Sequence, residues 1–281
     1  MLRSRVITSV VLAALVLAAL LLLPTTWLSV VLALLLLVAG GWENTRLAGL
    51  ENAFAQAAWI GLLCAGGATL IWVTHIPSAV PVVLGSATAA WLLLAIWLRC
   101  PGFGRPASST GSLTSRPPFQ PFKLIVIGLI LLAAFVAISW MHFYNPWWVV
   151  FLLFVIAAAD IGAFFTGHRF GGPKLAPVIS PGKTWSGVAG GLVAAIVTAA
   201  ICSRLMPDIP MAPMTAALVA VALAALSICG DLLISLFKRH RGLKDTSALL
   251  PGHGGMLDRV DGLSAAAPFF AFALWWLGTA T

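Results

Sequence analysis

The sequence predicts an all-α polytopic membrane protein with about nine transmembrane helices, a cytoplasmic N-terminus and a C-terminus on the far side. Composition is the first observation behind this prediction. The 281 residues are 61% hydrophobic and 9% charged, whereas soluble domains carry roughly 25% charged residues. Because a surface that faces lipid needs no charged residues, this composition excludes an ordinary soluble domain. The net charge of +8 then indicates basic cytoplasmic loops, and we expect no nucleic-acid partner.

Apolar runs of suitable length are the second observation. A membrane crossing needs about 20 apolar residues. Residues 6–41 are almost entirely apolar, but one helix of that length would span about 54 Å, which exceeds a bilayer. Pro24 therefore predicts a break into two short spans. The nine predicted spans are 6–23, 26–41, 54–74, 78–98, 123–141, 146–167, 186–206, 212–237 and 263–279.

The distribution of basic residues is the third observation. With the N-terminus inside, the inner segments are 1–5, 42–53, 99–122, 168–185 and 238–262. Together with Lys123 at a span edge, they contain 15 of the 16 lysines and arginines. This asymmetry supports the count and the orientation, because Lys and Arg collect in cytoplasmic loops. The Pro-, Gly- and Ser-rich segment 99–122 reads as a linker that divides the chain into regions 1–122, with about four spans, and 123–281.

The eight acidic residues are the most informative feature of the sequence. Glu43, Glu51 and Asp208 fall in predicted loops, where we expect water to solvate them. Asp160 and Asp231 lie within apolar stretches, where a carboxylate is costly unless it is paired, metal-bound or hydrated. A structural role in pairing helices is one interpretation, and a shared functional site is the other.

Helical spacing directs these acids toward the last inner segment. Asp231, Ser235 and Lys238 are spaced at i, i+4 and i+7, so they form a polar stripe that leaves the span. Asp258 and Asp261 share a face if residues 257–262 are helical. Facing carboxylates need a neutralising cation, and oxygen ligands of this kind suit Mg²⁺. The alternative is pairing with the nearby bases Lys238, Arg239, Lys244 and Arg259.

Basic residues and glycines surround the acids in the inner segments. The bases are Arg169, Lys174, Lys183, Lys238, Arg239, Arg241, Lys244 and Arg259. Glycines allow a ligand to approach the backbone closely. Acids that can hold a metal, beside bases and glycines, form the combination that phosphoryl transfer needs. The segment 180–184 is not a P-loop, because that motif would require glycine in place of Pro177.

Residues 235–261 read SLFKRHRGLKDTSALLPGHGGMLDRVD and resemble the signature of the phosphatidate cytidylyltransferase family. Three further segments are similar to the family, around Asp160, at 180–187 and at Gly230–Asp231, so the resemblance covers about 155–265. It implies a membrane nucleotidyltransferase of phospholipid biosynthesis that joins CTP to phosphatidate, giving CDP-diacylglycerol and pyrophosphate. It also implies Mg²⁺, with a second ion such as K⁺ left open. The first 120 residues match only as hydrophobic spans and carry no functional assignment.

The resemblance and the residues together suggest a role for each candidate, with region 123–281 as the catalytic region. Asp231 and Asp258 would hold the metal, and Asp261 would bind it directly or through another group. Asp160 would orient a lysine or a metal-bound water, or instead bond a neighbouring helix, and Asp245 would brace Lys244 or bind metal. The phosphate groups would be held by Lys183, Lys238, Arg239, Lys244, His253 and Arg259. The nucleotide would contact Ser180, Gly182, Lys183, Thr184, Gly254 and Gly255.

Two other functions remain open at this point. A CTP-dependent lipid-alcohol kinase would also bring CTP to a lipid at a membrane face, but would release CDP. A cation- or proton-coupled transporter would also use acids within the membrane, yet would not need such a dense basic loop. The resemblance favours an integral protein of a bacterial inner membrane with its site facing the cytoplasm. Whether the protein forms a homodimer is left open.

Overall fold

The computed structural model describes residues 14–98, 119–206, 209, 211–249 and 254–278. Helices make up nearly all of this part, which confirms an all-α polytopic membrane protein. The helices are α1 (14–22), α2 (Thr25–Leu32), α3 (Gly40–Ala48), α4 (Ala53–Val73), α5 (Val80–Trp97), α6 (Pro121–Tyr144), α7 (Pro146–Phe170), α8 (Trp185–Leu205), α9 (Pro213–His240) and α10 (Leu257–Trp276). A π-helical segment, Ala33–Ala39, joins α2 to α3.

Seven helical segments in the described part are long and apolar enough to cross a membrane. They correspond to the second through eighth predicted spans, and most of their bounds agree within a few residues. α10 corresponds to the ninth predicted span but is not among the seven. The count of nine and the orientation stay predictions.

The predicted break at Pro24 is confirmed, but the predicted end of the second span at residue 41 is wrong. Pro24 caps the start of α2, and the helix then continues through the π segment and α3 to Ala48. It ends at Gly49, whose φ of 84° is a left-handed conformation that glycine adopts without strain. The helix extends beyond the apolar run because Glu43, Asn44 and Thr45 are buried against other parts of the protein.

Local sequence signals explain where several helices begin. Proline occupies the first position of α6, α7 and α9, where its missing N–H costs nothing. The side chains of Asn52 and Thr184 accept hydrogen bonds from backbone N–H groups in the first turns of α4 and α8. These caps place the helix starts close to the predicted span edges.

α6 lies at the centre of the bundle, in contact with α2, α3, α4 and α10. At one end, His142 Nε2 of α6 donates to Leu20 O at 2.7 Å, and Thr25 Oγ1 lies 3.0 Å from Nδ1. At the other end, Arg241 Nη2 donates to Arg46 O at 3.4 Å. Basic segments that are far apart in sequence therefore meet at this second end.

A short antiparallel hairpin, which no sequence pattern indicated, precedes α8. Its strands are β1 (Lys174–Ala176) and β2 (Ser180–Thr184). The side chain of Ser186 donates to Gly171 O, which ties the start of α8 to the segment that enters the hairpin. The hairpin holds Lys183 at the end of the bundle where the basic segments meet.

α7 and α8 pack against each other through small residues. A Cβ atom at Gly191 would lie 2.8 Å from Ala159 O, and one at Gly187 would lie 2.9 Å from Ala163 O. Such contacts let backbones approach closely, as is typical of helix pairs in membranes. The close approach holds Asp160 of α7 beside the start of α8.

This packing predicts that the Gly191→Ala variant is destabilised. The added methyl group would collide with the α7 backbone, so we expect a loss of about 1–3 kcal/mol in the free energy of unfolding. Thermal unfolding in detergent, followed by tryptophan fluorescence, measures the effect. Gly61→Ala is the matched control, because a Cβ atom at Gly61 has no neighbour within 4 Å. Equal unfolding temperatures for the two variants would contradict this account of the packing.

Candidate active site

The candidate site lies where α9 and α10 cross, at the end of the bundle where the basic segments meet. Gly230 makes the crossing close, because a Cβ atom there would lie 2.2 Å from the backbone oxygen of Asp261. Gly262 makes the matching contact on α10, where a Cβ atom would lie 2.2 Å from Ser227 Oγ. A larger residue at either position would push the helices apart. Glycine therefore precedes Asp231 for a steric reason.

Asp231 and Asp261 act on each other electrostatically across this crossing. Burial and the negative charge of Asp231 raise the pKa of Asp261, which lies ahead of the predicted span 263–279. The backbone N–H of Gly262 donates to Asp261 Oδ1 at 2.8 Å. A carboxyl group whose ionisation is opposed by burial and by a second carboxylate favours a neighbouring cation. The predicted helix at 257–262 is confirmed as the first part of α10.

A lysine of the hairpin reaches one of these acids. Lys183 forms an ion pair with Asp231, and Ser235 Oγ donates to Asp231 Oδ1 at 3.3 Å. Asp160 of α7 interacts electrostatically with both Lys183 and Asp231. The structure therefore brings together three predicted site residues that come from three separate segments of the sequence.

Asp258, at the start of α10, has several partners from the protein itself. Lys238 Nζ lies 2.7 Å from Asp258 Oδ1, with side chains only 12% and 9% exposed. Asp258 Oδ2 accepts hydrogen bonds from Thr246 N at 2.9 Å, Thr246 Oγ1 at 3.0 Å and Gly255 N at 3.0 Å. Burial opposes ionisation, but these hydrogen bonds and the charge of Lys238 hold the pKa of Asp258 below its ordinary value. Asp258 is therefore an ionised group that fixes the position of Lys238.

A cavity of about 510 Å³ opens beside the Lys183–Asp231 pair, between α7, α8, α9 and the hairpin. Its wall contains both polar and apolar residues, which we call the polar wall and the apolar wall. The polar wall includes Asp160, His168, Lys174, Ser180, Lys183 and Thr184. The apolar wall includes Phe164, Leu175, Val188, Ala224 and Ile228. Such a cavity suits a ligand with an anionic part and a hydrocarbon part.

The other predicted residues lie around this centre. Arg239 Nε donates to Ile179 O at 3.4 Å, so it connects α9 to the turn of the hairpin. Lys244 and Asp245 are exposed on the loop between α9 and α10, and Arg259 is exposed on α10. Gly254 has a φ of +80° and lies next to Asp258. Gly182 lines the cavity, and His253 lies outside the described residues.

The expectation that Glu43 is solvated in a loop is wrong. Glu43 is 0% exposed and accepts four hydrogen bonds from the segment that contains Asp258. Its Oε1 accepts from Ser247 Oγ at 2.6 Å and Met256 N at 2.8 Å. Its Oε2 accepts from Thr246 Oγ1 at 2.9 Å and Leu257 N at 2.8 Å. The N-terminal region therefore contributes a residue next to the candidate site.

A periodic pattern could have revealed this role of α3. Leu37, Gly40, Asn44 and Leu47 are all buried, and their spacing is that of one helical face. The pattern continues past residue 41 and places polar residues on the buried side. The apolar run ends at residue 41, so a prediction based on hydropathy alone also ends the helix there.

The acids are suited to a cation held by few carboxylates. Across the described ranges, no group of three or more His, Cys, Asp or Glu side chains is arranged to hold a metal ion. Mg²⁺ commonly binds one or two carboxylates and completes its coordination with phosphate oxygens and water. Asp231, whose side chain is 36% exposed, and Asp261, with which it interacts electrostatically, fit such a site better than Asp258. The Asp258 side chain is only 9% exposed, and its Oδ2 alone accepts three protein hydrogen bonds.

Comparison with known proteins extends over the whole chain. Residues 3–277 match the cytidylyltransferase family. A phosphatidate cytidylyltransferase from Pseudomonas aeruginosa is 36% identical over 285 residues, which cover 99% of this chain and 98% of that protein. The Haemophilus influenzae enzyme of the same name is 46% identical over 136 residues, covering 46% of this chain and 47% of that protein. The Bacillus subtilis enzyme is 38% identical over 162 residues, covering 54% of this chain and 60% of that protein.

The geometry around Gly255 predicts a localised effect of Gly255→Ala. A Cβ atom there would lie 2.0 Å from Thr246 Oγ1 and 2.5 Å from Glu43 Oε1, so the methyl group would force the loop away from both residues. We expect trypsin to cleave after Lys244 faster than in the unaltered chain, as measured by mass spectrometry of timed digests. Gly182→Ala is the control, because its Cβ atom would have no neighbour within 4 Å. Identical cleavage rates in both variants would refute the contact.

Proposed function

This chain belongs to the cytidylyltransferase family, and we propose that it transfers the cytidylyl group of CTP to phosphatidate, forming CDP-diacylglycerol and pyrophosphate. One observation carries the proposal at the site itself. Lys183, which is paired with Asp231, lines a cavity that has both polar and apolar residues in its wall, and a second lysine–aspartate pair, Lys238–Asp258, joins α9 to α10. The P. aeruginosa relative named for this activity, which matches along almost its full length, gives independent support.

The reaction exchanges one phosphoanhydride bond for another. An oxygen of the phosphatidate phosphate attacks the α-phosphorus of CTP, and the bond from that phosphorus to the bridging oxygen of the β-phosphate breaks. The electron pair of the broken bond leaves on pyrophosphate. The attacking phosphate is already anionic, so the site needs no strong general base. The protein must instead bring two anions together and neutralise the charge that spreads over the phosphates.

The lysines of the site supply positive charge for this purpose. Lys183 and Lys238 are each held by an aspartate, which limits the orientations of their flexible side chains. We propose that Lys183 contacts the lipid phosphate, because it lines the cavity, and that Lys238 contacts the triphosphate. Arg239, Lys244 and Arg259 lie on the exposed side, where they would attract the nucleotide from solution.

We propose that Asp231 and Asp261 hold Mg²⁺, while Asp258 keeps Lys238 in place. When bound, the ion would neutralise part of the negative charge on the triphosphate. The electrostatic interaction of the two acids supports this assignment. The deeper burial of Asp258 and its four protein donors support its different role. A second ion such as K⁺ stays an expectation of the family resemblance.

The cavity beside Lys183 suits the lipid substrate. Its polar wall would bind the phosphate, and its apolar wall would contact the glycerol backbone and the first part of an acyl chain. Exposed aromatic side chains of α7 and α8, among them Phe164, Phe170 and Trp185, lie on the same part of the molecule. Such side chains are typical of the boundary between lipid and water. The lipid would therefore enter from the side that faces the membrane.

We place the site at the cytoplasmic face of a bacterial inner membrane. The basic segments meet at the end of the bundle that carries the site, and basic loops are retained in the cytoplasm. CTP is also a cytoplasmic substrate. The named relatives are bacterial proteins.

Product analysis tests the proposed function. The purified chain is incubated with phosphatidate, Mg²⁺ and CTP labelled at either the α- or the γ-phosphate. We expect the α-label in CDP-diacylglycerol and the γ-label in pyrophosphate. Transfer of the γ-label to an added lipid alcohol, with release of CDP, would overturn the proposal in favour of a kinase. Substrate uptake by proteoliposomes without any use of CTP would favour a transporter.

The assignment of the acids predicts a difference between variants. Asp231→Asn and Asp261→Asn each remove a charge that the ion needs, so we expect CDP-diacylglycerol formation to fall about 100-fold or more. The Mg²⁺ concentration needed for half-maximal rate should rise in both variants. Asp258→Asn should lower the rate without changing the Mg²⁺ requirement, because it frees Lys238. Glu51→Gln, at an exposed position, is the control, and near-normal rates in both of the first two variants would disprove the assignment.

A further inference from the structure

Glu43 is a fully buried carboxylate that accepts four hydrogen bonds, and the activity described above does not account for it. It lies on α3, more than 200 residues from the groups that it contacts. Four donors divide evenly between its two oxygens, which is close to the full capacity of a carboxylate. A buried charge with this many donors is strongly held in one position.

Two of the four donors are backbone N–H groups at the start of α10. Met256 N and Leu257 N each lie 2.8 Å from an oxygen of Glu43. The first N–H groups of a helix have no partner within the helix, and a negative charge near them is stabilising. The residue that caps α10, Met256, has no side chain that can accept these bonds. Glu43 therefore caps α10 from a different region of the chain.

The other two donors belong to the loop before α10. Thr246 Oγ1 lies 2.9 Å from Glu43 Oε2 and 3.0 Å from Asp258 Oδ2. A hydroxyl group has one proton to donate, so Thr246 can donate to only one of the two carboxylates at a time. Its backbone N–H remains on Asp258 at 2.9 Å. Thr246 thus connects Glu43 directly to Asp258.

We propose that Glu43 is a positioning residue for cytidylyl transfer, and this inference rests on the function proposed above. Its hydrogen bonds hold residues 246 and 247 of the loop and residues 256 and 257 at the start of α10. Thr246 in turn holds Asp258, and Asp258 holds Lys238. Within the described ranges, the hydrogen bonds of Glu43 go to the loop and to the start of α10, and none goes to a residue that lines the cavity. It acts through the loop, and it makes the N-terminal region a part of the catalytic assembly.

Asn44 provides a matched control for this proposal. It is the next residue on α3 and is equally buried, at 0% exposure. Its Nδ2 donates to Leu124 O of α6 at 2.9 Å, so its hydrogen bond stabilises the bundle away from the loop. A variant of Asn44 disturbs the packing of the same helix without removing a bond to the segment 246–257.

The full chain is purified in detergent as the unaltered protein and as the Glu43→Gln, Glu43→Asp and Asn44→Ala variants. We measure kcat, KM for CTP, the unfolding temperature and amide hydrogen exchange over 246–258. For Glu43→Gln we expect kcat to fall about 10- to 100-fold with KM changed much less, since a misplaced group impairs the reaction more than binding. Exchange over 246–258 should accelerate. Glu43→Asp keeps the charge and should recover part of the lost rate.

Asn44→Ala should lower the unfolding temperature while kcat stays within about twofold of the unaltered chain. Unchanged kcat and exchange in Glu43→Gln would overturn the proposal. An equal loss of kcat in Asn44→Ala would also overturn it, because Glu43 would then act only through general stability. If Glu43→Gln does not fold, the Ser247→Ala variant tests the proposal in its place. It removes one donor to Glu43 and should lower kcat and accelerate exchange, and no change in either would reject the proposal.

The two proposals fail in different ways. An unaltered chain that forms no CDP-diacylglycerol would refute the proposed function, whereas the exchange rates would still measure whether Glu43 holds the loop. An active unaltered chain with an equally active and equally protected Glu43→Gln variant would refute only the role of Glu43.

Discussion

A carboxylate buried in an apolar bundle must find hydrogen-bond donors or cations, and this requirement organises the end of the molecule that holds the site. A charge without such partners costs several kcal/mol at membrane depth. Glu43 and Asp258 obtain theirs from the protein, through backbone N–H groups, hydroxyl groups and Lys238. Asp231 and Asp261 instead interact electrostatically with each other, and Lys183 forms an ion pair with Asp231. The first pair maintains the structure, and the second pair is the one that we propose binds a cation.

Close approach of backbones makes these interactions geometrically feasible. Gly230 lets α9 approach α10, Gly191 lets α8 approach α7, and Gly255 leaves room for the oxygens of Glu43 and Thr246. In each case a methyl group would collide with backbone or polar atoms that cannot move away freely. The glycines near the acids therefore have a steric function. They allow short side chains such as aspartate to meet across two elements.

The role of Glu43 changes how the two regions of the chain relate to each other. The region before residue 123 is more than a membrane anchor, because α3 caps the helix that carries Asp258. Backbone contacts reinforce this association, since Gln120 N donates to Ala48 O at 2.8 Å. The position of Asp258, a signature residue near the C-terminus, thus depends on Glu43 near the N-terminus. The match of the P. aeruginosa relative over nearly the full chain is consistent with this dependence.

Sequence alone determined the membrane class, most helix positions and the family, through the signature at 235–261. Hydrophobic run length and charge distribution are local properties, so the break at Pro24 and the helices from α4 to α9 could be read without coordinates. The spacing of Asp231, Ser235 and Lys238 likewise predicted a stripe on one helix, along which Ser235 donates to Asp231.

Only the tertiary structure decided which donors each acid receives. The most distant partner of Glu43 lies 214 positions away in the sequence. That of Asp258 lies 20 positions away, and Lys183 lies 48 positions from Asp231. Such pairings depend on how helices pack rather than on local sequence pattern. Glu43 looked like a loop residue because hydropathy measures the preference of a segment for lipid, and the helix there is buried in protein instead. Hydropathy carries no information about a polar side chain whose partners come from another helix.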